Sequence, residues 1–329
     1  MNDLVILVTA IGSVAGEYVI SRLKELGHKV IGTDIYDRKW IAYGDLPDMF
    51  FQVSPVKDEK EYLKCITDIC STEKVDLIFP LTDVEVDFFD HYRDLFCDKE
   101  ITICISEHDI ITVLRNKLFL GAKVSALCKL TTTIPSCYVH DFLCSQQEWE
   151  RSETRFVIKP VDGRSSQGIR YFLDREEVVY YAKKHDTGAY IIQPYISGDR
   201  IVVDVVRQPQ DGTIVAVSRK ELLSTVNGCG ISVLVFSDPQ LEMMCKELAD
   251  KLEICGCVNF EFLLDPHGEY FLLECNPRFS AGIKFSALAG CDCVERHLNS
   301  FINKPVERFE LGHAMYIARK WTEVVTSIL

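Results

Sequence analysis

No stretch of this chain approaches the ~18 consecutive apolar residues of a membrane-spanning helix, so none of it reads as a span. The opening residues lack a basic segment and a cleavage signal, and the apolar run at residues 4–8 is of strand length, not leader length. Basic residues are in deficit: 36 Lys and Arg stand against 49 Asp and Glu, a net charge of −13. That balance argues against an extended nucleic-acid-binding face and leaves room only for a local basic pocket. The 14 cysteines include no C-x-x-C pair. Two C-x-C pairs, Cys255/Cys257 and Cys291/Cys293, have the wrong spacing for a zinc knuckle, and a disulfide framework belongs to short secreted chains. Reduced, mostly buried thiols and a cytoplasmic location are expected. Internal repeats and low-complexity linkers are lacking too, so the structural units should pack tightly.

With 329 residues, 47% of them apolar and 26% charged, the chain can build two or three globular units at about 100–200 residues each. Residues 4–8 read as a buried parallel strand, followed by a turn at 10–16. A helix then shows Val19, Leu23 and Leu26 on one face and stops at Gly27. Strands at 30–34, 49–53, 75–80 and 101–105, with a helix at 59–71, continue the alternation. This pattern predicts a doubly wound parallel sheet ending near residue 112. A helix at 116–127 leads to strands at 155–160, 169–173 and 190–195, with a helix at 176–185. Antiparallel signals follow at 201–207 and 213–219. Asp238-Pro239 reads as a helix cap and first residue, and Leu241, Met244, Cys245, Leu248 and Leu252 trace one stripe. A last strand is expected at 313–317. The expected units are residues 1–112, 113–195 and 196–329, an α/β domain followed by α+β parts.

A hairpin at 258–264 and 269–274 carries the most chemistry. A four-residue loop at 265–268 would set Leu264 opposite Glu269, Glu261 opposite Leu272 and Asn259 opposite Glu274. Alternation then puts Asn259, Glu261, Glu274 and Asn276 on one face, and Phe260, Phe262, Phe271, Leu273 and Cys275 on a core face. Glu261 and Glu274 become diagonal neighbours about 7–8 Å apart. Like charges that close repel, and a cation relieves the conflict. Oxygen-only ligands suit Mg²⁺. A solvated hairpin edge is the other reading of the geometry.

Glu274-Cys275-Asn276-Pro277-Arg278-Phe279-Ser280 resembles the E-x-N-P-R-x-S/G signature of ATP-grasp enzymes. The resemblance implies Mg²⁺ (or Mn²⁺) on Glu261, Glu274 and Asn276, with Arg278 facing phosphates or an acyl phosphate, Arg278 and Asn276 being the catalytic pair. Further matches come in the family's order. Phe156-Val157-Ile158-Lys159-Pro160 is similar to its apolar strand with a phosphate-binding Lys, and Lys117 opens a helix where the family places a second cation. Gly163, Arg164, Ser165, Ser166 and Gly168 resemble the flexible loop over the triphosphate. Gln193, Pro194, Tyr195 and Ile196 resemble the adenine hinge. The family's ribose-holding acid falls on Arg200, which leaves Asp199 as the substitute. Arg219 fits a residue facing phosphate or substrate, or a salt bridge.

The turn at 9–16 with Asp34 at the end of the next strand occupies a dinucleotide-fingerprint position, but Ala10 and Ala15 stand where Gly is needed. Asp76-Leu77-Ile78-Phe79-Pro80 followed by Thr82, Asp83 and Glu85 resembles the pre-ATP-grasp domain of the carbamoyl-phosphate synthase large subunit and pyrrolysine-pathway ligases. Thr82, Asp83 and Glu85 are the candidate substrate residues, Asp83 doubling as a candidate helix cap, with Lys284 and Ser286 in the same cleft. The resemblance thus implies a pre-ATP-grasp sheet domain and a two-subdomain ATP-grasp fold. It also implies an ATP- and Mg-dependent carboxylate–amine ligase working through an acyl phosphate and releasing ADP and phosphate. A kinase or carboxyphosphate-forming enzyme and a non-catalytic ATP-binding module are the alternatives. Small-molecule carboxylate and amine substrates are the expected partners, without nucleic acid or membrane, and a homodimer is one assembly option.

Overall fold

The computed structural model describes residues 3–145, 155–163 and 167–328. Its first part alternates β1 (Val5–Val8), α1 (Gly16–Glu25), β2 (Lys29–Asp34), β3 (Met49–Gln52), α2 (Glu59–Glu73), β4 (Leu77–Phe79), α3 (Asp83–His91), α4 (Arg93–Cys97), β5 (Thr102–Ile103) and α5 (His108–Arg115). The strands are parallel, in the order β3-β2-β1-β4-β5. β1 is apolar throughout because helices cover both its faces. Ile6 and Val8 pack with Val19, Ile20 and Leu23 of α1, whereas Leu7 joins Ile66 and Ile69 of α2. The chain direction across the sheet reverses between β1 and β4, where open α/β sheets leave a crevice at the strand ends.

Next come α6 (Lys117–Leu127), β6 (Thr132–Thr133), β7 (Cys137–Tyr138), α7 (Val139–Cys144), β8 (Phe156–Pro160), β9 (Arg170–Phe172), α8 (Arg175–Ala182) and β10 (Tyr190–Pro194). The Asn116 side chain caps α6 by accepting from the Leu118 and Phe119 amides. Antiparallel pairing gives a small sheet, β7-β10-β8-β9, and Val139, Phe142 and Val178 of its helices pack on Ile158 and Ile192.

The remaining elements are β11 (Asp199–Arg207), β12 (Ile214–Ser224), β13 (Gly230–Phe236), α9 (Pro239–Lys251), β14 (Gly256–Leu264), β15 (Tyr270–Asn276), α10 (Ile283–Leu288), α11 (Cys293–Phe301) and β16 (Met315–Ala318). They form a seven-stranded sheet, β16-β13-β12-β11-β14-β15-β6. Asp238 caps α9 with Pro239 at its start, and the stripe from Leu241 to Leu252 is buried against Val203, Val205 and Phe260. On the opposite face Val206 and Val215 pack with Ile283, Val294 and Leu298, in one core that also contains Ile6 and Val8. The first sheet and the large sheet therefore share an apolar core.

Sequence periodicity missed α3 because Asp83 and Glu85 are buried along with Val86, Phe88 and Phe89, which leaves no polar stripe to mark it. Asp83 lies in its first turn; the cap position is Thr82. All 14 cysteines are free thiols, and most are buried. Among the described residues, no helix is long and apolar enough to cross a membrane.

Glu85 accepts from the Tyr62 hydroxyl at 3.0 Å and from Thr82 at 2.7 Å. Burial nevertheless pushes its carboxyl up from 4.5 to about 7. A carboxyl raised by folding favours the native state most when protonated, so its contribution is complete below 4.5 and lost as pH climbs through about 7. Glu85→Gln should flatten the decline in urea midpoint across that pH interval. An unchanged slope would show that Glu85 does not cause it.

Candidate functional site

The hairpin of β14 and β15 pairs Asn259 with Asn276 and Glu261 with Glu274, but Phe262 with Leu272 and Leu264 with Tyr270. The residue skipped is Leu273, so β15 carries a bulge. The expected register is corrected twice: Asp265 closes the turn on Glu269, which sets Leu264 opposite Tyr270, and the bulge adds a second one-residue shift. Glu261 and Glu274 are direct cross-strand partners, not diagonal neighbours. A bulge also re-aims side chains. Phe262, Tyr270 and Leu272 join the core, whereas Leu273, expected in that core, lines a cavity with Leu263 and Glu274.

Cations from three other elements converge on the two carboxylates. Arg200 of β11 donates through Nε and Nη2 to Glu261 Oε2 at 2.9 and 2.5 Å. Lys117 Nζ of α6 lies 3.2 Å from Glu274 Oε2 and donates to the Gly163 carbonyl at 2.8 Å. Lys159 of β8 is buried, and burial together with Lys117 pushes its ammonium down to about 8. Burial raises the Glu261 carboxyl despite Arg200. Burial works against the Glu274 carboxylate as well, yet Lys117 and Lys159 hold it below the ordinary range. Asn276 donates to Glu261 Oε1 at 3.2 Å and to Asn259 at 3.3 Å.

Lys117, Lys159, Arg200, Glu261 and Glu274 line a cavity of about 310 Å³ between the small and large sheets. Its apolar wall includes Ile134, Val157, Ile169, Leu263 and Leu273, and Gly163, Gln193, Pro194, Tyr195 and Ile196 also face it. Gly168 has φ +75°, and a Cβ there would approach Pro160 Cγ at 2.8 Å, which explains the glycine. Arg164, Ser165 and Ser166 lie outside the described residues.

A second cavity of about 640 Å³ lies between the first sheet and the large sheet. Ser13, Thr82 and Asp83 line it from one side, Arg219, Asn276 and Arg278 from the other, and Trp321 borders it. Arg278 Nη2 donates to Asp83 at 2.7 Å, and Arg115 stands 3.7 Å from the same carboxylate. Arg200, Glu261 and Glu274 border both cavities.

Several candidates are placed elsewhere. Asp199 is exposed and paired with Lys220 at 2.5 Å, and it lines neither cavity; strand alternation turns Arg200 inward instead. Glu85 is engaged with Tyr62 and Thr82 inside the first domain, out of reach of a substrate. Arg219 stays on the wall of the second cavity, buried, where it donates to Asp204 at 2.7 Å and Ser280 at 2.9 Å. Lys284 sits 3.7 Å from Glu17, and Ser286 is buried on Asp204, so neither lines the cleft. Asp34 accepts from the Gly12 and Tyr36 amides, which commits its carboxylate to the backbone turn. Arg115 and the inward role of Arg200 were missed. Arg200 shares a strand face with residues 202 and 204, and Val202 pairs with Glu261.

Residues 186–320 match the family model described as ATP-grasp in the biosynthetic pathway with Ter operon, and residues 6–104 match the PylC-like N-terminal domain. The arginine-specific carbamoyl phosphate synthase large chain of Oryza sativa subsp. japonica, chloroplastic, is 31% identical over 83 residues, 25% of this chain and 7% of that protein. The match thus spans a small part of that relative's length. Among solved structures, Campylobacter jejuni biotin carboxylase superposes with a TM-score of 0.76 at 15% identity, over 92% of this chain and 72% of that one. Staphylococcus aureus N5-carboxyaminoimidazole synthetase gives 0.74 at 17%, over 96% and 83%. At such identities the likeness shows the fold. The chain shares the fold of these two structures, and residues 186–320 match an ATP-grasp family model. More narrowly, a PylC-like N-terminal domain precedes its ATP-grasp region.

Removing Asp83 strands the guanidinium of Arg278 at the border of the second cavity. Asp83→Ala should therefore cost on the order of 3 kcal/mol in chemical denaturation. Adding Arg278→Met should recover part of it, and additive losses in the double variant would show that the pair is not coupled.

Proposed function

We propose that the chain is an ATP- and Mg²⁺-dependent ligase that joins a carboxylate to an amine or a related nucleophile through an acyl phosphate. The observation that carries this reading is the directly opposed pair Glu261 and Glu274, with Asn276 beside it and Lys117 and Lys159 at hand. Among the described residues, no group of three or more His, Cys, Asp or Glu forms a metal cluster. Two carboxylates and an amide are the smaller, all-oxygen set that suits Mg²⁺ when waters and phosphates complete its shell. When bound there, the metal would neutralise phosphate oxygens.

Lys117, Lys159 and the Gly163 turn would hold the triphosphate, and Leu263, Leu273, Val157 and Ile169 would take the base. The substrate carboxylate and the nucleophile would occupy the second cavity, next to Arg278. Attack by a carboxylate oxygen on the γ-phosphorus of ATP releases ADP. The nucleophile then attacks the acyl carbon, loses its proton, and phosphate leaves. The chain's own work is to position the reactants and to stabilise charge on the transferring group through Arg278. Relatives of this fold support the nucleotide assignment: a 2-oxoglutarate carboxylase biotin carboxylase domain from Hydrogenobacter thermophilus was solved with MgADP and bicarbonate. The same relative favours a carboxyphosphate-forming enzyme as the second reading, which phosphorus NMR of the products separates from ligation.

ADP release measured against a panel of carboxylic acids and amines should require Mg²⁺ and both substrates. Glu274→Ala should lower it by at least about 100-fold. Full activity in that variant would refute the metal assignment.

A further inference from the structure

Arg200 sits where the two cavities meet and borders both. Two of its nitrogens are spent on a single oxygen, Glu261 Oε2, and the third reaches the Gly228 carbonyl at 3.4 Å. The other oxygen of Glu261 takes the Asn276 amide at 3.2 Å. An arginine keeps its proton under all physiological conditions, so Arg200 cannot release Glu261 by losing charge. It has to move. A Mg²⁺ ion on Glu261 Oε2 would lie roughly 2.1 Å away, in space that the guanidinium now fills.

The wall of the larger cavity, and not that of the smaller one, includes the turn that the guanidinium rests against. Gly228, in the turn between β12 and β13, has φ +79°, and a Cβ there would fall 2.8 Å from Arg200 Nη1. The turn is shaped to leave room for the guanidinium on the side of the larger cavity. The other two guanidiniums of that cavity rest on carboxylates of their own, Arg219 on Asp204 and Glu221, Arg278 on Asp83.

We propose that Arg200 is an internal counter-ion for Glu261 which metal binding displaces, and that the displaced guanidinium then binds an anionic group of the substrate in the larger cavity. The inference rests on the metal-site reading above. Metal and anion binding are thereby coupled, and the coupling works in both directions. Arg200 keeps two crowded carboxylates stable before the metal arrives and leaves the anion site weak until it has.

The test uses the full chain as wild type, Arg200→Met, Arg200→Lys and Glu274→Gln, with Mn²⁺ as the probe and free Mn²⁺ followed by electron paramagnetic resonance. Without its competitor, Arg200→Met should bind Mn²⁺ on the order of ten-fold more tightly than wild type. Arg200→Lys keeps the charge but loses the two-nitrogen grip, so it should fall between them, and it serves if Arg200→Met does not fold. Inorganic phosphate, titrated calorimetrically as the anion, should bind the MnADP-loaded wild type and bind loaded Arg200→Met at least about ten-fold more weakly. Mn²⁺ binding equal to or weaker than wild type in both Arg200 variants, with Glu274→Gln still defective, would overturn the displacement while leaving the metal site standing. Equal phosphate affinity in loaded wild type and Arg200→Met would overturn the anion role. Mn²⁺ binding indifferent to Glu274→Gln would overturn the metal site and this inference with it.

Discussion

Glu261 and Glu274 face each other across adjacent strands, at a place where burial strips away most of the water that would screen them. Like charges in that setting are unfavourable unless cations are brought in from the surrounding structure. Lys117 comes from the start of a helix, Lys159 from the small sheet and Arg200 from the neighbouring strand. Lys117 and Arg200 touch the carboxylates and Lys159 acts on them through its charge, so the helix cap at Asn116, the pairing of β8 with β10 and the register of β11 on β14 all answer to one electrostatic demand. Such charge in a buried location is hard to justify as scaffolding. A bound cation and polyphosphate would use the same arrangement with its signs already in place.

Packing around this pair gives the cavities their different characters. The bulge at Leu273 brings a leucine onto the wall next to Glu274, so the cavity between the small and large sheets combines apolar side chains with carboxylates and ammonium groups. The second cavity is bordered instead by charged pairs, and Asp83 links it to the first sheet through Arg278. A core shared by Ile6, Val8, Val206 and Leu298 holds the first sheet against the large one. That continuity keeps Asp83 and Arg278 in register although 195 residues separate them in sequence.

Much of this was legible in the residues themselves. Parallel alternation in the first part, the Asp238-Pro239 helix start, the stripe of α9 and the grouping of Asn259, Glu261, Glu274 and Asn276 on one face follow from periodicity and local chemistry. What was not legible depends on long-range geometry. A bulge shifts every pairing on one side of it, and no turn residue announces the extra Leu273. Asp199 and Arg200 are adjacent and both polar, so only the strand's orientation decides which points inward. Glu85 looks like a cleft residue because it follows a strand end, yet one helical turn carries it under Tyr62. Lys284 follows the hairpin motif in sequence but emerges beside Glu17, outside the cleft.

A crystal structure of the chain with Mn²⁺ and a non-hydrolysable ATP analogue bears on the paired carboxylates without an intermediary. The expected result is an anomalous peak bridging Glu261 and Glu274, with the base against Leu263 and Leu273 and Arg200 turned away from Glu261. A peak elsewhere, or a nucleotide seated at the Gly12 turn of the first sheet, would contradict the proposed site.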